Sequence, residues 1–228
     1  MRKILGIILL LAVVSADAAL LSRMGGDAYY DDVLDITWLA DANYAKTSGY
    51  DADGMMNWDE AQAWVGSLNT NSYLGSSSWR LPGLIDNGNN GCDYSFDGTD
   101  CGYNVDTSGS ELAHMFYETL GNVGWANTAG GGPQAGWGLV ETAEFANIQA
   151  GYYWPGTEYA TNVGLAWVFN MQYGFQDFGN KLNTFYAWAV ADGDFGATAN
   201  VAVPVPASIW LFGSGIGLLG WMRRRKNV

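Results

Sequence analysis

The chain has 228 residues, 49% of them hydrophobic, and a formal net charge of −13. Between residues 19 and 203 there are 22 acidic residues against four basic ones, which gives that segment a net charge near −18. Such a surface repels phosphate backbones, which proteins bind through lysine and arginine, so nucleic acid is excluded as a partner. The nine tryptophans of the same segment exclude intrinsic disorder, because disordered chains are poor in aromatic residues.

The N-terminus has the pattern of a secretory signal peptide over residues 1–18. Two cations precede the apolar stretch Ile4–Val14, and residues 16–18 (Ala-Asp-Ala) supply an A-x-A cleavage site. We predict that signal peptidase cleaves after Ala18. The body of the chain, residues 19–203, is long enough for one domain with a substantial core.

The first half of that domain predicts one strand and two helices. Apolar residues within Asp32–Asp41 predict a strand, and Asn57 and Glu60 have the spacing of a capping box that begins an amphipathic helix. A second helix is predicted over residues 108–120, with a capping box of Ser108 and Glu111. His114 falls off its apolar stripe, and a lone histidine is more often solvent-facing or hydrogen-bonded than catalytic.

The second half changes to a period of two residues. Strands are predicted over residues 165–171, 175–180 and 185–194, separated by short turns. Helices followed by clustered strands predict an α+β fold, with two helices packed on antiparallel sheets and long Gly/Asn-rich loops.

Cys92 and Cys101 lie in one of these loops, "GCDYSFDGTDCGYN". Export would place them in an oxidising compartment, and eight intervening residues can close a loop, so we predict a disulfide. The alternative is a metal site, although the spacing is not C-x-x-C and no histidine is near.

The sequence offers candidate residues for two kinds of ligand, calcium and a sugar, and no catalytic group. No resident cofactor is predicted, but carboxylates in two loops could bind calcium through oxygen: Asp51 and Asp53, and Asp93, Asp97 and Asp100. A sugar could bind at a turn with aromatic and polar side chains: Tyr152, Trp154, Glu158 and Asn162. The alternative for Trp154 is a place in the core. His114 is the one candidate base for nucleophilic catalysis, and no zinc-hydrolase or G-x-S-x-G motif is present, so we predict that the protein is not an enzyme.

The C-terminus combines a proline motif, an apolar segment and a basic cluster. Residues 209–222 supply 14 mostly apolar residues, fewer than the ~20 that a spanning helix needs, and the basic cluster would stay on the cytoplasmic side. On these grounds a permanent tail anchor and a removable sorting signal are both possible.

The order of motifs resembles the PEP-CTERM sorting signal in its V-P-x-P-A variant, with matching residues Val203, Pro204, Pro206, Ala207, Arg223, Arg224 and Arg225. That resemblance implies sorting by an exosortase, a membrane transpeptidase of Gram-negative bacteria that make extracellular polysaccharide, and it assigns residues 204–228 to the signal.

The body of the chain resembles the Lcl C-terminal domain family, named for a collagen-like bacterial adhesin. The matching stretches include "TWLADANYAKTSGYDADGMMNWDEAQAWVGSLN" and "SSWRLPGL". The resemblance implies a C-type-lectin-like fold and, for the adhesin, binding of sulfated polysaccharides through positive charge. Because this chain has only four basic residues there, we expect a neutral or cationic glycan or a surface protein as the ligand. The alternatives are a structural matrix component without a ligand site and a carboxylate-based envelope hydrolase.

Overall fold

The computed structural model describes residues 20–87 and 92–196. The predicted signal peptide (1–18), the PEP-CTERM-type segment (204–228) and its apolar stretch (209–222) lie outside the described residues. Within the described ranges, no helix combines the length and the apolar character that crossing a bilayer would require.

The described strands form two sheets. The smaller sheet is antiparallel, in the order β1, β2, β3, β11: β1 (Leu20–Arg23), β2 (Ala28–Asp31), β3 (Ile36–Leu39) and β11 (Val190–Asp192). The larger sheet is mixed, in the order β4, β10, β7, β8, β9, β6, β5: β4 (Met55–Met56), β5 (Tyr94–Ser95), β6 (Cys101–Tyr103), β7 (Tyr152–Tyr153), β8 (Leu165–Asn170), β9 (Phe175–Asn180) and β10 (Phe185–Tyr186). Two of its pairings are parallel, β10 with β7 and β5 with β6.

These sheets confirm the predicted α+β class. The prediction that the sheets are antiparallel is wrong for the larger one, which has two parallel pairings, and several predicted boundaries also differ. The strands predicted at residues 165–171 and 175–180 form β8 and β9, the longest antiparallel pair. The single strand predicted over residues 185–194 is wrong: β10 belongs to the larger sheet and β11 to the smaller one. Residues 187–189 between them are buried, so this segment passes from one sheet to the other through the core. Strands β1 and β2 were not predicted.

The helices are short except for one. The predicted capping box is confirmed in α2 (Trp58–Thr70): Asn57 Oδ1 accepts from Glu60 N and Glu60 Oε2 accepts from Asn57 N, each at 3.0 Å. A single turn, α1 (Tyr44–Thr47), precedes it. The second predicted helix is interrupted, since α3 (Glu111–His114) continues as a π-helical turn over Met115–Thr119.

The capping box predicted for this second helix is wrong. Ser110, not Ser108, caps α3, with its side chain accepting from Ala113 N. The Glu111 carboxylate instead accepts two hydrogen bonds from Arg80, both at 2.8 Å, and Arg80 also contacts Asp192. Glu111 therefore ties α3 to strand β11 through Arg80, a role that local spacing does not reveal.

Aromatic residues dominate the core between the helices and the sheets. Among the residues that the structure describes, five tryptophans are fully buried: Trp38, Trp64, Trp154, Trp167 and Trp188. His114 is also buried, and its Nε2 has no hydrogen-bond partner among the described residues. The solvent-facing position considered for His114 is therefore wrong.

Candidate functional site

The disulfide loop is the best-defined part of the candidate site. Cys92 and Cys101 are disulfide-bonded, with Cα atoms 5.3 Å apart, which confirms the predicted bridge. Inside the loop, β5 pairs with β6, and Gly102 has a φ of +108°. A Cβ atom there would collide with the backbone oxygen of Ser95, so only glycine allows the two strands to approach this closely.

Asp100 holds the backbone of the same loop through hydrogen bonds. Its side chain is buried, and its two carboxylate oxygens accept from the backbone N–H groups of Asn87 and Asp93, at 2.9 and 3.1 Å. Gln176 Nε2 donates to the Asp100 carbonyl oxygen at 2.7 Å. The loop is thus closed by the bridge and bound to strand β9 by a polar contact, so its outward side chains have a fixed base.

Tyr94 and Phe96 of this loop form a patch with three rings from neighbouring segments, Tyr103, Trp125 and Phe175, and we call this patch the aromatic surface. Tyr94 is 53% exposed and the other four are half-buried. Neighbouring rings are 4.9 to 6.1 Å apart, and Phe96 stacks on Tyr103 with an interplanar angle of 4°. Burial raises the pKa of the Tyr103 hydroxyl, as expected for a ring pressed between its neighbours.

Two polar side chains fix the far edge of the aromatic surface. Asn104 Nδ2 donates to the carbonyl oxygens of Phe96 and Ala126, at 2.9 and 3.0 Å. Gln134 Nε2 donates to the Ala126 oxygen as well, at 3.0 Å. The loop that carries Trp125 is therefore held against the disulfide loop.

An acidic cavity of about 300 Å³ adjoins the aromatic surface, and we call it the loop cavity. Asp97, Asp106 and Glu118 supply its carboxylates, and Asn104 and Tyr117 line it beside them. Burial raises the pKa of the Tyr117 hydroxyl to about 12, so it remains a donor and bonds to the Gly174 oxygen. Asparagine and carboxylate groups beside exposed rings provide the mixture of flat apolar and polar contacts that sugars use.

The structure does not assemble the predicted calcium ligands into one compact group. Asp51 Oδ1 accepts from the N–H groups of Asp53 and Gly54, and Asp53 Oδ1 accepts from Met55 N, so these carboxylates order their own turn. The Asp100 carboxylate is occupied by backbone N–H groups of the disulfide loop, whereas Asp93 and Asp97 are exposed. Calcium binding stays a prediction.

One compact group of potential metal ligands does occur among the described residues. It consists of Cys92, Cys101 and Asp177. Its two sulfur atoms are joined in the disulfide, and a disulfide offers no thiolate to a metal. This group therefore does not support the alternative in which the two cysteines bind a metal ion.

The residues predicted at the sugar-binding turn do not form a common surface. Trp154 is fully buried and donates from Nε1 to the Met56 oxygen at 2.8 Å, so it occupies the core and presents no ring to a ligand. Tyr152 is half-buried in β7. Glu158 forms an ion pair with Lys181, and Asn162 accepts from Gly164 N within its own turn. The aromatic surface is a better candidate than this turn.

Sequence reasoning missed the aromatic surface although a signal was present. Tyr94, Phe96 and Tyr103 stand in a Gly/Asp-rich segment around two cysteines. Such large apolar side chains cannot all be buried inside a short polar loop. Trp125 and Phe175 carry no such signal, because only the fold brings them to the loop.

The comparisons with known proteins identify the C-terminal segment. Residues 202–226 match the family of the PEP-CTERM protein-sorting motif. This confirms the predicted sorting signal, and the motif implies an exported protein that an exosortase sorts to the cell surface. The roles of the individual prolines and arginines stay a prediction. No curated protein and no solved structure gives a significant match, so the Lcl resemblance stays a prediction.

Proposed function

We propose that this chain is a non-enzymatic surface or matrix protein that binds a neutral polysaccharide through the aromatic surface. The sorting motif implies the location, and the α+β fold is compatible with the lectin-like identity that the Lcl resemblance suggests. The observation that carries the proposal is the group of five contiguous rings, with Tyr94 53% exposed, two of which lie on a loop that a disulfide closes. Rings of this kind stack on the C–H faces of sugars.

The charge near the aromatic surface favours neutral polysaccharides over anionic ones. Of the four basic residues in the body, Arg23, Arg80 and Lys181 form ion pairs with carboxylates. The aromatic surface itself contains no basic residue and adjoins a cavity with three carboxylates. Sulfated or uronic acid polymers would therefore be repelled, whereas neutral glucans or mannans would not.

Binding is tested with the processed protein, a variant at the exposed ring of Tyr94 and a control variant at an exposed apolar residue elsewhere. Affinity electrophoresis in gels with neutral glucan or mannan should retard the native protein. Tyr94→Ala should reduce the retardation at least about fivefold, as loss of one aromatic contact of ~1 kcal/mol or more predicts. Leu182→Ala, which removes an exposed apolar side chain (82%) away from the aromatic surface, should leave the retardation unchanged.

Two results would contradict this proposal. Equal migration of native and Tyr94→Ala protein across neutral polymers would favour a structural matrix component without a ligand site. Release of reducing sugar that a single carboxylate substitution abolishes would favour the hydrolase alternative.

The sorting step has a separate test, the intact mass of the protein recovered from envelope and medium of the native cell. A mass that begins at Ala19 and ends near Pro204 and Pro206 would support cleavage at both predicted sites. A mass that retains residues 223–228 would support a permanent tail anchor instead.

A further inference from the structure

Two adjoining cavities beside α1 and α2 share no residue with the aromatic surface. Tyr44 and Tyr73 line both cavities, and their ring centroids are 4.7 Å apart. We call the pair the tyrosine cleft. It has a neutral half of about 270 Å³ and an acidic half of about 220 Å³, which together fall within the ~300–1,000 Å³ typical of ligand pockets.

The neutral half has the lining of a sugar subsite. Tyr50 is exposed at its mouth, and Ser48, Ser67 and Asn71 add polar groups. Asn71 Nδ2 donates to the Ser67 backbone oxygen, which leaves the amide oxygen available as an acceptor. Trp64 also lines this half, is fully buried, and has an Nε1 donor without a partner among the described residues. A sugar oxygen at this wall would satisfy a donor whose isolation is otherwise costly.

The acidic half carries uncompensated negative charge. Asp27 and Asp41 line it together with the two tyrosines, and no basic residue does. Asp41 Oδ1 accepts from Asn43 N at 2.9 Å, so its carboxylate is held in place and keeps a second oxygen. Asp27 is exposed. Burial, followed by the hydroxyl of Tyr44 and then the charges of Asp27 and Asp41, raises the pKa of the Tyr73 hydroxyl.

We propose that the tyrosine cleft binds an amino sugar with a free amine, with the sugar ring in the neutral half and the ammonium group between Asp27 and Asp41. The rings of Tyr44 and Tyr73 would contact both parts, since aromatic faces attract ammonium groups as well as C–H groups. The site is separate from the aromatic surface, so it does not depend on neutral polysaccharide binding there.

Titration calorimetry with the processed protein tests the cleft, with glucosamine oligosaccharides and their N-acetylated counterparts as probes. The free amines should bind at least tenfold more tightly, because acetylation removes the charge and leaves the ring. Asp27→Asn with Asp41→Asn should remove this preference. The matched control, Asp59→Asn with Asp93→Asn, removes two exposed charges from residues that line neither half of the cleft and should keep it.

A second variant distinguishes loss of binding at the cleft from loss of the folded structure. Tyr50→Ala alters an exposed side chain and should weaken both probes by a similar factor, whereas Leu182→Ala, at an exposed residue that lines neither half of the cleft, should affect neither. Equal weakening by the two double variants would overturn the proposal, because it would show long-range attraction rather than a site. Equal binding of the acetylated and free oligosaccharides would overturn the proposal as well. Displacement of the free-amine oligosaccharide from the cleft by an equimolar concentration of calcium would also overturn it.

Discussion

The core and the aromatic surface use the same kind of side chain in opposite ways. In the core, two indole groups donate hydrogen bonds to backbone oxygens: Trp154 to Met56 at 2.8 Å and Trp188 to Leu39 at 2.7 Å. On the aromatic surface, the rings contact mainly one another and leave their faces partly open. A ring that is both enclosed and hydrogen-bonded contributes to stability, whereas a ring that is only stacked at the surface remains available to a ligand.

The difference shows that aromatic content does not locate a site in this chain. In the sequence, Trp154 and Tyr94 are both aromatic residues that could contact a sugar, and the predicted sugar-binding turn includes Trp154. What separates them is the contact that each makes across the fold. Substitutions that act on only one of the two regions can therefore test the comparison.

The largest expected effect is on the core. Trp154→Ala should lower the free energy of unfolding by about 3–5 kcal/mol, because it leaves a large cavity beside Phe185 and removes the partner of the Met56 oxygen. Tyr94→Ala should cost less than about 1 kcal/mol, because its ring is already half in water. Urea denaturation followed by circular dichroism measures both, and similar losses would remove the distinction between the regions.

Local signals predicted local structure well. Asn57, Glu60 and the apolar face of α2 fixed the position of that helix, since capping and periodicity act within a few residues. The two cysteines likewise predicted their bridge. In both cases the interacting groups are neighbours in the chain.

Contacts between residues distant in the chain leave no local signal in the sequence. Glu111 was assigned to a capping box, but its partner Arg80 is 31 residues away. The extended segment after residue 184 divides between two sheets because β4 and β7 pair with β10, while β3 pairs with β11. The aromatic surface needs Phe175, which reaches Tyr103 only through the pairing of β6 with β9. These outcomes depend on tertiary contacts that override local preference.

The next largest effect should come from opening the disulfide loop. Cys92→Ser with Cys101→Ser removes a closure between residues nine apart, which should cost about 2–3 kcal/mol. Because Tyr94 and Phe96 lie within the loop, neutral polysaccharide binding should weaken more than in Tyr94→Ala alone. Binding to the tyrosine cleft should persist in folded protein. Unchanged polysaccharide binding would show that the loop does not present the site.

Gly102→Ala should disturb the same surface while the bridge stays intact. The new methyl group would meet the Ser95 oxygen at a φ that only glycine adopts easily, so β5 must move away from β6. We expect a loss of about 1–3 kcal/mol. Gly98→Ala is a useful control, since Gly98 also has a positive φ but has open space around its Cβ position. A shift of the Tyr94 and Phe96 ring resonances in Gly102→Ala, but not in Gly98→Ala, would locate the movement.

The smallest effect concerns Asp177, which lies on β9 beside the bridge, with Oδ1 3.9 Å from Cys101 Sγ. Burial raises the pKa of this carboxyl, although the N–H of Phe178 opposes the shift. The folded state therefore holds the proton more tightly than the unfolded state, so ionisation of Asp177 lowers stability as the pH rises through the folded pKa.

Asp177→Asn should remove that penalty and keep the acceptor for Phe178 N. The variant should be more stable than the native protein at pH 7, by less than about 1 kcal/mol, and the gain should disappear below about pH 4, where the native carboxyl is protonated in both states. Melting temperatures measured from pH 3 to pH 8 test this. A gain that is constant with pH would assign the effect to packing, and a loss at pH 7 would mean that the carboxylate stabilises the loop.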